Sequence, residues 1–236
     1  MSKGQTTTAT NASLLIPYAL PIFLYVGIAS LPASLGLSLE ANYALRLAAA
    51  AAALAWGWRR FVPLRGPNPP LASIGVGIVA GLLGTALWVA IKQPFYPPGG
   101  EPWPQAAFVL RLVASGSVVA LFEELLFRGY VLGLVVQWDR ARRSGAGDPF
   151  GQAFDRSSIG DLEPGAWTPI AVAVSTLAYT AGHAFPGEYP AAIAYGLLMA
   201  GLWIARKDLL SCVVAHGVTN VSLALYVHST GAWAVW

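Results

Sequence analysis

The sequence contains few charged residues and a single cysteine. Asp, Glu, Lys and Arg make up only 11% of its 236 residues, whereas 56% are hydrophobic, and the mean hydropathy is +0.58. A chain this apolar is unlike an ordinary soluble domain, so we predict an integral membrane protein. The net charge of +3 is too small to indicate a nucleic-acid-binding protein. Because Cys212 has no second cysteine with which to form a disulfide, we predict that it is a small buried apolar residue.

Long apolar segments predict an all-α fold, a polytopic transmembrane helical bundle with about seven spans and possibly eight helices. A crossing of about 30 Å of hydrocarbon needs roughly 20 apolar residues. The fourth segment is longer than a crossing requires, so we expect it either to tilt strongly or to begin outside the membrane. The segments cover residues 13–37, 43–58, 71–91, 106–138, 169–185, 189–205 and 209–227.

The polar stretches divide the chain into three parts. Residues 1–12 form a polar N-terminal tail, residues 13–104 the N-terminal transmembrane helices, and residues 105–236 a core that carries the polar motifs. Within this core, residues 139–167 mix basic, acidic and glycine residues, so we expect an exposed connector rather than a second domain. In the third span, Gly77 and Gly81 have GxxxG spacing, which predicts close helix packing within the monomer.

Lysine and arginine are divided unevenly between the loops. With seven spans, the N-terminal tail and the second, fourth and sixth loops lie on one side of the membrane, and basic residues favour the cytoplasmic side. The opposite side holds only Lys92. We therefore predict a multi-pass protein of the plasma (inner) membrane with a cytoplasmic N-terminus and an external C-terminus. The basic residues assigned to the cytoplasmic side are Lys3, Arg59, Arg60, Arg65, Arg140, Arg142, Arg143, Arg156, Arg206 and Lys207.

The motif EELLFR places three charged side chains inside the fourth apolar segment. Glu124 and Arg128 are four residues apart, so at about 100° per residue they share one helix face and are expected to form an ion pair. Glu123 points about 100° away from this face and has no cation near it in sequence. An unpaired carboxyl in a partly wet cavity can exchange protons, as a general base or acid requires.

Two later motifs add further polar groups inside apolar segments. YTAGH ends in His183, and HGVTN carries His216 and Asn220 four residues apart on one helix face. A base, an imidazole that orients water and neutral hydrogen-bond donors for an oxyanion are the parts of a hydrolytic site. At about 1.5 Å per residue, the motifs reach broadly similar heights in their helices, so we expect them to line one cavity within the membrane.

Together, the three motifs resemble those of the CAAX protease and bacteriocin-processing family, intramembrane relatives of the Ras-converting CAAX prenyl endopeptidase. The resemblance covers residues 105–227 and leaves out the three N-terminal spans. It implies that Glu123 and His183 activate water and that His216 and Asn220 stabilise the oxyanion. The residues that it implies as structural support are Glu124, Arg128 and Tyr179, the last of which stands where the family usually has Phe.

The resemblance implies an intramembrane endopeptidase that hydrolyses a peptide bond near the C-terminus or in the membrane-proximal part of a protein or peptide. The substrate stays open between a prenylated tail, a secreted peptide and a C-terminal sorting segment. Membrane lipids and this substrate are the expected partners, and nucleic acid is not. The alternatives outside proteolysis are a non-catalytic membrane immunity or partner-binding protein and a proton-coupled transporter.

Two mechanisms of proteolysis fit the same residues. In the first, no cofactor is used, and Glu123 and His183 activate water directly. In the second, Glu123, His183 and His216 bind zinc, which activates its own water. We favour the metal-free glutamic type, because the sequence contains no HExxH motif and because Asn220 is a poor zinc ligand but a good oxyanion donor.

The remaining charged and aromatic residues have simpler interpretations. Arg46 and Arg111 lie near predicted span ends, where we expect their charged groups to snorkel towards water. We interpret Trp88 and Trp103 as interface or packing residues. None of these four residues is predicted to take part in the chemistry.

Overall fold

The computed structural model describes residues 9–95, 99–183 and 185–235 of the chain. These residues form eight α-helices joined by short 3-10 turns, and none of them lies in a β-strand, so the all-α prediction is confirmed. Most of the predicted polar tail, with Lys3, lies outside the described residues. The helices are α1 (Asn11–Ala29), α2 (Leu39–Gly57), α3 (Pro70–Lys92), α4 (Gln105–Arg143), α5 (Pro149–Asp155), α6 (Pro169–Ala181), α7 (Tyr189–Arg206) and α8 (Leu209–Thr230).

Five helical segments in the described residues are long and apolar enough to cross a membrane. They begin at α1, α3, α4, the turn before α7, and α8, and they make the chain a multi-pass membrane protein. The expected number of seven is not confirmed, because α2 and α6 do not qualify by length and composition. Helix α2 carries Glu40 and Arg46, and α6 has 13 residues, which extend only about 20 Å.

Two predicted spans were drawn too long at their C-terminal ends. The first was predicted to reach residue 37, but α1 ends at Ala29 and Pro32 follows, a residue that cannot continue the hydrogen-bonding pattern of a helix. The fifth was predicted to reach residue 185, but α6 ends at Ala181, and Gly182 and Pro186 follow. In both segments, apolar residues continue beyond the helix and conceal its end from a hydropathy window.

Side-chain caps set the N-terminal ends of the helices that carry the later motifs. The Thr168 hydroxyl accepts a hydrogen bond from the Ala171 N–H at 3.3 Å and caps α6. The Asp208 carboxylate accepts one from the Ser211 N–H at 2.7 Å and caps α8. Such caps satisfy backbone N–H groups that have no partner within the helix. They therefore fix where each helix begins, and with it how far along α8 His216 lies.

Helices α3 and α8 pack in close contact through glycines of α3. A methyl group on Gly77 would lie 2.8 Å from the Ser211 carbonyl oxygen, and one on Gly81 would lie 2.6 Å from that of Ala215. Only glycine permits this approach, so the prediction that the GxxxG spacing serves packing within the monomer is confirmed. Cys212 lies on the same helix with 0% exposure, as predicted for a small buried residue.

The polar loop between α4 and α6 is folded onto the bundle and is not simply an exposed connector. It contains α5, and its anchor is Asn11, the first residue of α1, which is fully buried. The Asn11 amide donates to the Ala153 carbonyl at 2.8 Å, and its oxygen accepts from the Ile159 N–H at 2.7 Å. The Tyr130 hydroxyl of α4 donates to the Asn11 carbonyl. One buried asparagine therefore joins α1, α4 and the loop.

Candidate active site

Helix α4 has an irregular geometry around the two glutamates of its motif. A short α-helical turn, Ala120–Glu124, lies between two π-helical stretches, Ser115–Val119 and Leu125–Val131. Helix α8 packs against this part of α4. π-helical turns within longer helices are rare and occur frequently at functional sites. The irregular helix geometry therefore occurs in the same part of α4 as the charged residues of its motif.

The expected ion pair is present, with Glu124 at 0% and Arg128 at 1% side-chain exposure. The Arg128 Nη1 donates to Glu124 Oε1 at 3.1 Å. The same Oε1 lies 2.7 Å from Nδ1 of His216 on α8. A carboxylate oxygen only accepts, so His216 Nδ1 is the donor in this contact. Glu124 therefore orients His216 in addition to pairing with Arg128, a role that the sequence did not predict.

Arg128 and Tyr179 pack next to Glu124 and His216. The second guanidinium nitrogen of Arg128 donates to the Gly196 carbonyl of α7 at 3.3 Å. The guanidinium carbon lies 5.0 Å from the centre of the Tyr179 ring, and that ring contacts the His183 ring at a centroid distance of 5.0 Å. Tyr179 thus contacts both a buried charge and a histidine of the site, as a supporting residue would.

Glu123 occupies a different environment from the adjacent Glu124. Its side chain is 21% exposed, and its Oε2 lies 3.7 Å from Nε2 of His216. It borders two cavities. The main cavity, of about 190 Å³, is lined by Arg111, Ser115, Glu123, His183, His216 and Asn220 among others. The side cavity, of about 210 Å³, is lined by Tyr25, Arg46, Phe122, Glu123, Tyr179 and His183 among others.

His183 lies just beyond the end of α6 and borders both cavities. Its Nδ1 lies 3.2 Å from the Tyr179 carbonyl oxygen, which can only accept, so this nitrogen carries the proton. In the tautomer with a single proton on Nδ1, Nε2 is an acceptor. Trp88 of α3 lies against the ring at a centroid distance of 5.5 Å and lines the main cavity. The sequence had assigned Trp88 only to packing or the membrane interface.

Asn220 reaches the main cavity where α4 and α8 cross. Its Nδ2 donates to the Ser115 carbonyl at 2.8 Å, which uses one of the two amide hydrogens. The crossing is close because Gly217 faces Gly116, and a methyl group on Gly217 would lie 2.6 Å from the Gly116 carbonyl oxygen. The structure therefore brings all four predicted catalytic side chains, from three separate motifs, around one cavity.

Three charged residues near the cavities were not predicted to belong there. Arg111 lines the main cavity and Arg46 the side cavity, whereas snorkelling to the interface had been expected for both. Lys92, expected in an external loop, is 2% exposed and forms an ion pair of 2.7 Å with Glu188, which also lines the main cavity. The sequence offered a signal for Arg111 only. This residue precedes Ser115 by four positions, on the same helix face, in the segment that leads to Glu123.

No group of three or more His, Cys, Asp or Glu side chains in the described residues is arranged to hold a metal ion. This applies to Glu123, His183 and His216, the set that would bind zinc in the alternative mechanism. His216 Nδ1 is engaged by Glu124, and its Nε2 lies 3.7 Å from Glu123 Oε2.

The fold and the cavity define a multi-pass, all-α membrane protein that surrounds a buried cavity with carboxylate, imidazole and amide groups. The family model for type II CAAX prenyl endopeptidase Rce1-like proteins matches residues 105–222, and the chain belongs to this family. Membership supports an intramembrane CAAX endopeptidase that acts on a protein or peptide substrate. No curated protein and no solved structure shows significant similarity to the chain.

Proposed function

We propose that this chain hydrolyses a peptide bond near the C-terminus, or in the membrane-proximal part, of its substrate by means of water activated by Glu123 and His183. The observation that carries this proposal is the contrast between the two adjacent glutamates. Glu124 is completely buried and engaged by Arg128 and His216, whereas Glu123 is partly exposed at both cavities. Only Glu123 is therefore accessible to water and substrate.

In the first step, Glu123 removes a proton from water while His183 Nε2 accepts a hydrogen bond from the same water. The water oxygen attacks the carbonyl carbon of the scissile bond, and the carbonyl oxygen becomes an oxyanion. Positioned base catalysis of this kind contributes about 10²- to 10⁴-fold to the rate. The second step transfers the proton from Glu123 to the leaving amide nitrogen as the C–N bond breaks, which yields a carboxylic acid and an amine.

His216 and Asn220 are proposed to stabilise the oxyanion. The free amide hydrogen of Asn220 is one donor, and Nε2–H of a protonated His216 is the other. The Glu124 carboxylate accepts the hydrogen bond from His216 Nδ1 at 2.7 Å and so orients the ring. Glu124 is thus a positioning residue that acts through His216, and Arg128 holds Glu124 in place through their ion pair.

We propose that this mechanism needs no metal ion. Support comes from Asn220, whose amide suits an oxyanion better than zinc. Metal analysis of active, detergent-purified protein, with a chelator-treated control, tests the point. Stoichiometric zinc that is lost together with activity would establish the zinc-dependent version, with Glu123, His183 and His216 as ligands.

We also propose that the protein lies in the plasma (inner) membrane with its N-terminus in the cytoplasm and its C-terminus outside. Support comes from the distribution of arginine, which is concentrated at and just beyond the C-terminal ends of α2, α4 and α7. In the last turns of α4, Arg142 and Arg143 bind the buried Asp139. In this orientation, α2 and α6 both count as crossings.

Cleavage of a membrane-anchored peptide by reconstituted protein tests the proposed function. Glu123→Gln and His183→Gln should each remove most turnover, and the double variant should lose little more, because residues that act on one water are strongly non-additive. Glu163→Gln, at an exposed position, is the matched control and should retain activity. Thermal unfolding of each variant verifies folding.

The same variants separate the rival functions. A partner-binding or immunity protein would show no cleavage even as the parent chain, and a proton-coupled transporter would lose proton-linked flux in Glu123→Gln without ever cleaving a peptide. Losses that multiply in the double variant would show that Glu123 and His183 act in independent steps. Full activity of Glu123→Gln would refute the mechanism.

A further inference from the structure

A third cavity, of about 230 Å³, lies apart from the candidate active site. It shares no lining residue with the main and side cavities. Its walls come from α4, the end of α7 and the loops that precede α3 and α6, and most of its lining residues are apolar. Sites that hold a whole drug-sized ligand measure about 300–1,000 Å³, so this cavity suits one part of a larger molecule.

Four charged residues line the third cavity, and they do not balance. Arg128 is neutralised inside the bundle by Glu124. Arg65 and Lys207 are exposed, and in the described part of the chain neither has an ion-pair partner. The fourth residue, Glu163, is also exposed. Two cations and one carboxylate therefore give the cavity an excess of positive charge.

The backbone of Lys207 indicates that its side chain has a use. Lys207 ends α7 with a φ of 57°, and among the described residues it alone combines a positive φ with a side chain. Glycine is the usual residue here, because a side chain in the left-handed region costs about 1–2 kcal/mol. A cation near a helix C-terminus is favourable, but Arg206 in the last turn of α7 already supplies one. Strain kept at such a position points to a function of the residue.

The Lys207 side chain is packed against the wall of the third cavity. A methyl group on Gly165 would lie 2.6 Å from Lys207 Cγ, so the aliphatic part of the lysine lies directly on this glycine. Gly165 stands between Pro164 and Ala166, which both line the cavity. The aliphatic part of Lys207 is therefore held beside the apolar walls, while its side chain remains exposed.

The two cations lie on neighbouring chain connections. Arg65 belongs to the connection before α3, and Lys207 to the connection between α7 and α8. The Leu210 N–H at the start of α8 donates to the Leu64 carbonyl at 2.8 Å and joins the two. The segments that contain α3, α7 and α8 are long and apolar enough to cross a membrane, so their ends lie near the lipid headgroups. The third cavity thus combines cations at headgroup depth with apolar walls.

We propose that the third cavity binds an anionic membrane phospholipid. Its phosphate contacts Arg65 and Lys207, and the first part of an acyl chain packs against Leu132, Ile159 and Trp203. Basic pockets between helices at the membrane surface suit anionic headgroups. A free phosphate is a poorer ligand, because it gains nothing from apolar walls. The site is separate from the proposed hydrolytic site and does not depend on it.

The test measures lipid retention by the full-length protein in detergent with native mass spectrometry. The probes are phosphatidylglycerol and phosphatidylcholine with identical acyl chains. The parent protein should bind the anionic lipid about 10- to 30-fold more tightly, because each cation near an anionic lipid contributes about 5-fold. Arg65→Gln and Lys207→Gln should each lower this preference about 5-fold. Lys207→Gly should lower it equally without lowering the unfolding midpoint, since glycine removes the backbone strain.

Arg59→Gln is the matched control, because Arg59 is an exposed cation near Arg65 in sequence but lines none of the three cavities. It should keep the full preference for phosphatidylglycerol. An equal loss in Arg59→Gln would assign the preference to the basic surface as a whole and overturn the site.

Two further outcomes would overturn the proposal. Equal retention of the two lipids by the parent protein would show that the third cavity does not select an anion. Displacement of phosphatidylglycerol by free glycerol 3-phosphate would show that the cavity binds phosphate without using its apolar walls. None of these measurements involves peptide cleavage, so failure of the lipid site leaves the proposed hydrolysis standing.

Discussion

Removal of the charge on Arg128 tests the buried ion pair most directly. Arg128→Met keeps much of the side-chain volume but leaves Glu124, which is 0% exposed, with His216 as its remaining hydrogen-bond partner at 2.7 Å. The Gly196 carbonyl also loses its donor, and Oε2 of Glu124 has no partner even in the parent protein. Breaking a buried pair from one side costs about 3–5 kcal/mol, because the other charge stays buried.

Removal of both charges should be less harmful than removal of one. In Glu124→Gln/Arg128→Met, no uncompensated charge remains, and the amide oxygen at position 124 can still accept the hydrogen bond from His216 Nδ1. Replacement of a complete buried pair by neutral side chains is often close to neutral in its effect on stability. We therefore expect the double variant to be more stable than Arg128→Met alone.

The measurement is the midpoint of unfolding in mixed detergent, where all variants can be compared under one condition. Arg156→Met is the control, since Arg156 and Asp148 form an exposed pair, with 65% and 56% side-chain exposure, whose loss should cost at most about 1 kcal/mol. If Arg128→Met has the same unfolding midpoint as this control, the ion pair between Glu124 and Arg128 does not stabilise the fold. A double variant less stable than Arg128→Met would show that Glu124 matters for folding independently of Arg128.

Three further predictions concern packing, catalysis and topology. Gly81→Ala should destabilise the protein by about 1–3 kcal/mol, because its methyl group would lie 2.6 Å from a carbonyl oxygen of α8. Gly75→Ala, with open space around it, should not destabilise the protein. Equal unfolding midpoints of the two variants would contradict the packing of α3 on α8. Asn220→Ala should lower kcat about 10²- to 10³-fold with little change in KM, measured by peptide cleavage; a loss confined to KM would remove Asn220 from the oxyanion site. Reporter fusions at Gly145 and at the C-terminus should give opposite signals, and the same signal at both would mean that α6 does not complete a crossing.

The local part of the site was predictable from the sequence because helix geometry is periodic. Residues four apart on a helix share a face, which was enough to pair Glu124 with Arg128 and to separate Glu123 from them. The same periodicity placed His216 and Asn220 together, and the spacing of Gly77 and Gly81 indicated a close helix contact. Composition alone indicated a membrane protein, because 56% hydrophobic residues cannot be covered by so few polar ones.

The sequence was less informative wherever a helix ends or a charge finds a distant partner. Hydropathy does not register helix ends that Pro or Gly impose inside an apolar run, so the first and fifth predicted spans extend beyond the ends of α1 and α6. Lys92 was predicted to lie in an external loop, because the sequence does not show its distant partner. Its partner, Glu188, is 96 positions away, and no local pattern shows that they meet.

What the sequence determined by itself was therefore the class of protein, the all-α fold and the local pairs within single helices. Only the tertiary structure decided that Glu124 holds His216, 92 positions away, and that Arg46 and Arg111 face cavities rather than the membrane surface. The physical reason is that a helix fixes the relative directions of its own side chains, whereas packing between helices fixes which of them meet. Close contacts at Gly81 and Gly217 set that packing, and with it the cavity in which Glu123 is exposed.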